Sequence, residues 1–218
     1  PTFDYRLSFL VLNARSLKSQ SLKAPKLQSL RLELASKSHD VLCFTETWLN
    51  DSVTDGYLLG NEASSYFCYR RDRGSHGGGV VIFANSAITS LPVSLPELAS
   101  QQGIELIAID LLIDPSPIRL VLWYRPPSGS AEVQQSYLRY SLAVISTLHT
   151  SARGRFLLTG DFNFPTVNWD LGIAHSPLAR EFLEFCAVRN FEQFVRVPTR
   201  GDAILDLVIG ANDLEPSP

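Results

Sequence analysis

The sequence predicts a layered α/β sandwich of the α+β class, with two packed mixed β-sheets flanked by helices. Three observations predict it. Short apolar runs of strand length recur along the 218 residues, three longer stretches carry the helical period, and the runs arrive both as direct neighbours and separated by helices. The first run, 7–12, is a buried strand. Residues 26–37 place Leu27, Leu30 and Leu34 on one helical face, which should lie on a sheet. Runs 41–44, 79–84, 104–112 and 118–124 are rich in Val, Ile, Leu and Phe and bounded by turn residues, so they read as buried strands. Residues 132–149 form the second helix, with Val133, Tyr137, Ile145 and Leu148 on its apolar face, and 156–159 is again a strand. The third helix, 177–190, opens with Ser176 as N-cap and Pro177 at the first helical position, and it buries Leu178, Phe182 and Phe185. Run 204–209 is the last strand. Internal repeats, charge blocks and low-complexity tracts are absent, which implies one domain over 1–218.

Composition narrows the function. Lys+Arg of 19 against Asp+Glu of 22 gives a net charge of -3, so no general basic field attracts nucleic acid, and a polyanion needs a local cluster or a metal. Three cysteines, Cys43, Cys68 and Cys186, are odd in number and form no Cys-x-x-Cys pair, which argues against a disulfide framework and a zinc finger and favours a reducing compartment. The most apolar stretch, 104–113, is broken by Glu105 and Asp110, and the polar N-terminus has no signal-peptide core; an intracellular protein without a membrane partner is expected. Pro at position 1 and the lack of any Met suggest a segment of a longer polypeptide.

The informative pattern is what ends each run. "LSFLVLN" ends in Asn13, "VLCFTE" in Glu46, "IRLVLWY" in Tyr124 and "RFLLTGDFN" in Asp161 and Asn163. A rigid strand fixes such a group at an accessible rim, and four together outweigh the ordinary explanation that every strand must leave the core. Asp161 and Asn163, two apart, point to one side of an extended chain, with Gly160 permitting close backbone approach. A carboxylate beside an amide can orient a water and stabilise developing charge, as hydrolysis requires. Glu46 needs a cation or water at the end of a buried run; Mg²⁺ is one solution and an arginine partner an equal one. Asp206 lies inside "ILDLVIG", on the wet face of an edge strand or in a buried polar network, and the sequence favours the wet face.

With "LNARS", "TETWL", "RRDRGSHGGGVVIFA", "WYRPPS", "TGDFN" and "PTRGDAILDLVIG" in this order, the chain resembles the endonuclease domain of non-LTR (LINE-type) retrotransposons. That domain belongs to the exonuclease–endonuclease–phosphatase superfamily and is related to apurinic endonucleases. The resemblance implies that Glu46, supported by Asn13, holds a catalytic Mg²⁺ (Mn²⁺ being an alternative ion). It implies that Tyr124 contacts the scissile phosphate, Asp161 orients or deprotonates the attacking water, and Asn163 helps hold the phosphate. Thr199 then contacts the DNA backbone, and Asp206 orients a catalytic histidine. The Ser-Asp-His motif carrying that histidine is not in this sequence, so the resemblance implies a domain cut before its last catalytic strand; His39, His76, His149 and His175 read as surface residues.

The implied reaction is attack of water on a DNA phosphodiester, leaving a 3′-hydroxyl that primes reverse transcription and a 5′-phosphate. The implied partners are DNA and a polyprotein whose reverse transcriptase follows C-terminally; the implied location is the nucleus. Arg15 and Arg125, each after a site motif, and Arg71, within the Arg70, Arg71, Arg73 cluster, are the candidate DNA contacts, a solvated loop being the even alternative for that cluster. Trp48 is expected in the core. Two alternatives remain. One is another phosphoesterase of the superfamily, although no Arg follows "GDFN" as in inositol phosphatases; the other is a catalytically inert DNA-binding or interaction module.

Overall fold

A computed structural model describes residues 6–18, 26–74 and 77–211. It contains a mixed four-stranded sheet of β1 (Phe9–Asn13), β2 (Val41–Thr45), β3 (Tyr66–Arg71) and β4 (Val80–Asn85), in the order β1-β2-β4-β3. A mixed six-stranded sheet is built from β5 (Ser90–Pro92), β6 (Glu105–Leu111), β7 (Ile118–Tyr124) and β8 (Arg155–Asp161), joined by β11 (Phe191–Gln193) and β12 (Asp206–Ala211). Its order is β11-β12-β8-β7-β6-β5, and a two-stranded hairpin of β9 (Val167–Asn168) and β10 (Ile173–Ala174) stands apart from it.

Alternation along the strands makes the layers. Val41 and Cys43 of β2 face Ile107, Ile109, Leu120 and Leu122 of the other sheet, forming the core between the sheets. Their neighbours Leu42 and Phe44 point the other way, onto Leu30 and Leu34 of helix α1 (Lys26–Ser36). On the far side, Val121, Trp123 and Leu158 pack against α4 (Ala131–Thr150) and α5 (Pro177–Val188). Two short helices, α2 (Asp55–Leu59) and α3 (Glu97–Gln101), join strands. The result is the predicted α+β sandwich, helix on sheet on sheet on helix. Among the described residues no helix is long and apolar enough to cross a membrane.

Ser176 caps α5 by accepting from the Ala179 N–H at 3.2 Å, with Pro177 opening the helix. The face of α4 differs from expectation. Leu138, Leu142, Ile145 and Leu148 are buried, whereas Val133 in the first turn is exposed. Apolar runs do not reveal β3 or the two- and three-residue strands β5, β9, β10 and β11, and β3 is the longest of these. It is an edge strand, Phe67 is exposed, and it ends in two arginines, a composition that protects an edge from pairing with another chain.

Candidate active site

Each sheet holds one parallel pair, β1 with β2 and β7 with β8, and both pairs end at the same rim. There they enclose a cavity of about 780 Å³ lined by Asn13, Glu46, Tyr124, Asp161 and Asn163, all anticipated from run ends, by Arg15, a candidate DNA contact, and by Ser16, Lys26, Trp48, Pro127 and Arg200. A side-chain hydrogen bond crosses between the sheets: Asn13 Nδ2 donates to Asp161 Oδ2 at 2.6 Å.

The backbone at this rim is unusual. Arg15, Ser16, Glu46, Trp48 and Asn163 all adopt positive φ, which costs a non-glycine residue about 1–3 kcal/mol where the surroundings must hold it. They are held. The β1–β2 ladder continues past the strand ends, Ser16 N–H donating to the Glu46 carbonyl at 2.8 Å and Leu17 N–H to that of Thr47 at 2.9 Å. The turn swings Trp48 back, so that its indole Nε1 donates to Glu46 Oε2 at 2.5 Å. Trp48 therefore lines the cleft; the core placement expected from sequence is corrected, because the indole N–H needs an acceptor and Glu46 supplies one. Burial, then a hydrogen bond donated to Glu46, pushes the Tyr124 hydroxyl well above its ordinary range.

Asp161 is fully buried. It accepts from Asn163 N–H at 3.1 Å, from Asn13, and from Arg200 Nη2 at 3.3 Å, yet desolvation prevails and its carboxyl is raised. The positive φ of Asn163 turns its amide back, Nδ2 donating to the Arg125 carbonyl at 2.8 Å.

A profile of the endonuclease/exonuclease/phosphatase family matches residues 10–216, nearly the whole chain. The chain belongs to that family. Among solved structures, this family member is similar to a 3′ phosphatase, NExo, from Neisseria, bound to product DNA hairpin, at TM-score 0.65 and 15% identity, covering 95% of this chain and 87% of that one. It is similar to the endonuclease domain of TRAS1, a telomere-specific non-LTR retrotransposon, at 0.63 and 14%, covering 95% and 86%. The AP endonuclease LMAP from Leishmania major follows at 0.67 and 18%, covering 94% and 79%. No curated protein matches.

In this family member Asp206 lies opposite Asp161 in the antiparallel β12–β8 register. The wet-face reading is corrected: β8 sets Asp206 opposite the fully buried Asp161, and Asp206 Oδ1 is buried without a hydrogen-bond partner. Burial, then the charge of Asp161, raises the Asp206 carboxyl to about 6. A raised carboxyl stabilises the fold below its unfolded value, and that contribution is lost as pH rises from about 3.8 through about 6. Asp206→Asn is therefore expected to melt above the parent at pH 7.5 and close to it at pH 4. Melting curves across that range check this, and a constant offset would contradict it.

Thr199 has a local role. Its Oγ1 accepts from the N–H groups of Leu205 and Asp206, both at 3.0 Å, closing a turn whose Arg200–Ala203 bridge seats Arg200 at the cavity. Of the candidate DNA contacts, Arg15 is exposed at the cleft. Arg125 is buried, its guanidinium 4.3 Å from the Phe164 ring centre. Arg71 lies outside the cleft with Nη2 on the Ala99 carbonyl at 3.0 Å. Nor is the arginine triplet a solvated cluster, since Arg70 bonds Asp55, Asp72 and two carbonyls, and Arg73 pairs with Glu105. Their fixed acceptors lie within the fold, a partnership that spacing along the chain does not show.

Sequence reasoning missed Arg200 and Lys26. Lys26 donates to the Ala14 and Arg15 carbonyls, at 2.5 and 2.6 Å. The one available signal for Arg200 was a cation opening a Gly-Asp turn before "ILDLV". Of the described histidines, His39 and His149 are half-buried, His39 facing Glu33 at 2.7 Å and His149 packing edge-on against Phe156 and Phe191, and His175 is exposed as anticipated. His76 lies outside the described residues.

Among the described residues no group of three or more His, Cys, Asp or Glu forms a metal cage. Glu46 and the Asn13 amide instead offer a sparse, oxygen-only set beside open cavity. That donor chemistry suits Mg²⁺ or Mn²⁺, hard ions that keep several waters, and not structural zinc.

Proposed function

We propose that the chain is a metal-dependent DNA endonuclease domain that nicks a phosphodiester to leave a 3′-hydroxyl and a 5′-phosphate. One observation carries the reading: Glu46, Asn13, Tyr124, Asp161, Asn163 and Arg200 converge on one cavity from two sheets. Glu46, with Asn13, would hold Mg²⁺, and such an ion neutralises phosphate oxygens and stabilises a leaving alkoxide. Asp161 accepts a hydrogen bond from the attacking water and aligns it, with Asn13 and the Asn163 N–H holding the carboxylate in place. The Tyr124 hydroxyl stays protonated, and its proton, held by Glu46, would turn to a phosphate oxygen once a cation occupies that carboxylate; the exposed Arg15 and half-buried Arg200 supply the cationic rim that the net charge lacks. Arg200 also faces Asp161, so a phosphate entering the cavity meets a guanidinium already oriented by a carboxylate. The ordered motifs and the likeness to the TRAS1 domain favour target-site nicking for reverse transcription in a nucleus, beside a C-terminal reverse transcriptase. Supercoiled plasmid incubated with the chain should turn into open circles in Mg²⁺ or Mn²⁺ and remain supercoiled in EDTA. Retardation of DNA without nicking would replace this reading by a binding module.

A further inference from the structure

Glu105 opens β6 as a nearly buried carboxylate that none of the steps above uses. Its Oε2 accepts from the Gly79 N–H at 2.5 Å, and its Oε1 lies 3.6 Å from Arg73 Nη1. Its own backbone N–H donates to the Tyr137 hydroxyl, which in turn donates to the Tyr124 carbonyl, each at 3.0 Å. Glu105 is thus anchored to the end of β7, on the six-stranded sheet, and reaches across to the opposite one.

The glycines it touches grip the segment that carries Glu46. The Gly79 carbonyl accepts from Thr47 N–H at 3.2 Å and the Gly78 carbonyl from Trp48 N–H at 2.9 Å. Trp48 then donates its indole N–H to Glu46. Both glycines have positive φ; a Cβ on Gly78 would overlap the Glu105 carboxylate and one on Gly79 would meet Thr47 Oγ1. The run "GGG" is therefore the fit of a loop between Glu105 and the Thr47–Trp48 backbone. Glu46 and Trp48, at φ 54 and 55, depend on such external bonds to keep their conformation.

We propose that Glu105 is a positioning residue for Glu46, acting through the Gly78–Gly79 loop, Thr47 and Trp48. The inference rests on the reading of Glu46 as the metal-holding carboxylate. It makes Glu105 a supporting group that orients the ligand without touching the ion.

Glu105→Gln and Glu105→Asp separate this role from bulk packing and from charge. Glutamine keeps the length and an acceptor oxygen for Gly79; aspartate keeps the charge and withdraws the oxygen. Site-resolved hydrogen exchange by NMR should show the Thr47, Trp48 and Gly79 amides exchanging about tenfold faster in Glu105→Asp and within about threefold of the parent in Glu105→Gln. Titration with Mn²⁺ alone should weaken by about 10–100-fold in Glu105→Asp, the range typical of lost support to a metal ligand. Parental exchange at Thr47 and Trp48 in Glu105→Asp would overturn the relay, whatever its melting temperature. A parent that binds no Mn²⁺ would instead overturn the metal role of Glu46, while the exchange data still decide the relay.

Discussion

Asp161→Asn is expected to lower the nicking rate by about 10²–10⁴-fold in saturating Mg²⁺ while leaving thermal stability close to the parent's. A carboxylate that aligns the attacking water acts on the chemical step, and groups of this kind are worth about that factor. Asp161 is also fully buried, and desolvation holds its carboxyl above the ordinary value despite three donors. Ionising it in the native state therefore costs stability, because a raised carboxyl contributes stability only while protonated. Asparagine removes that cost and keeps an oxygen for Asn13 and Arg200, but its Nδ2 then meets the Asn163 N–H donor against donor, which offsets the gain. Plasmid nicking rates and melting curves on the same preparation check both. A variant that nicks at the parental rate would remove "TGDFN" from the catalytic machinery, and one inactive only because it is unfolded would show Asp161 to be structural.

Gly160→Ala is expected to destabilise the fold by about 3–5 kcal/mol, among the largest single-site effects a core position shows. Gly160 has φ +133, a region almost closed to side chains, and its added Cβ would collide with the Trp123 carbonyl oxygen on neighbouring β7. Neither partner can yield, since both are backbone of paired strands and Trp123 is wedged against Phe162 and Phe182. Gly172→Ala is the control: at φ +62 with nothing within 4 Å, it should lose only about 1–2 kcal/mol from backbone strain. Urea unfolding of the two variants compares them directly. Equal losses would mean that the approach of β8 to Trp123 imposes no requirement for glycine.

The sequence by itself determined the class of the fold and most of the polar residues that line the rim. Short continuous apolar runs and three helical faces predicted layered sheets, and Asn13, Glu46, Tyr124, Asp161 and Asn163 stood out because a polar group ending a buried strand is a local, readable event. The Ser176-Pro177 start of α5 was legible for the same reason, since a cap and its N–H partner lie three residues apart. Tertiary structure decided what depends on partners distant in the chain. Asn13 meets Asp161 across 148 residues, Arg200 reaches the cavity through a turn held by Thr199, and Glu105 finds Gly79 on the opposing sheet. Trp48 left the core, and Arg70, Arg71 and Arg73 left the solvated loop, because acceptors within the fold captured them; Asp206 left the wet face because β8 sets it opposite the buried Asp161. Local periodicity records which side of an element is buried, but which acceptor or charge waits there is set by how two sheets stack, and that is a property of the packed chain alone.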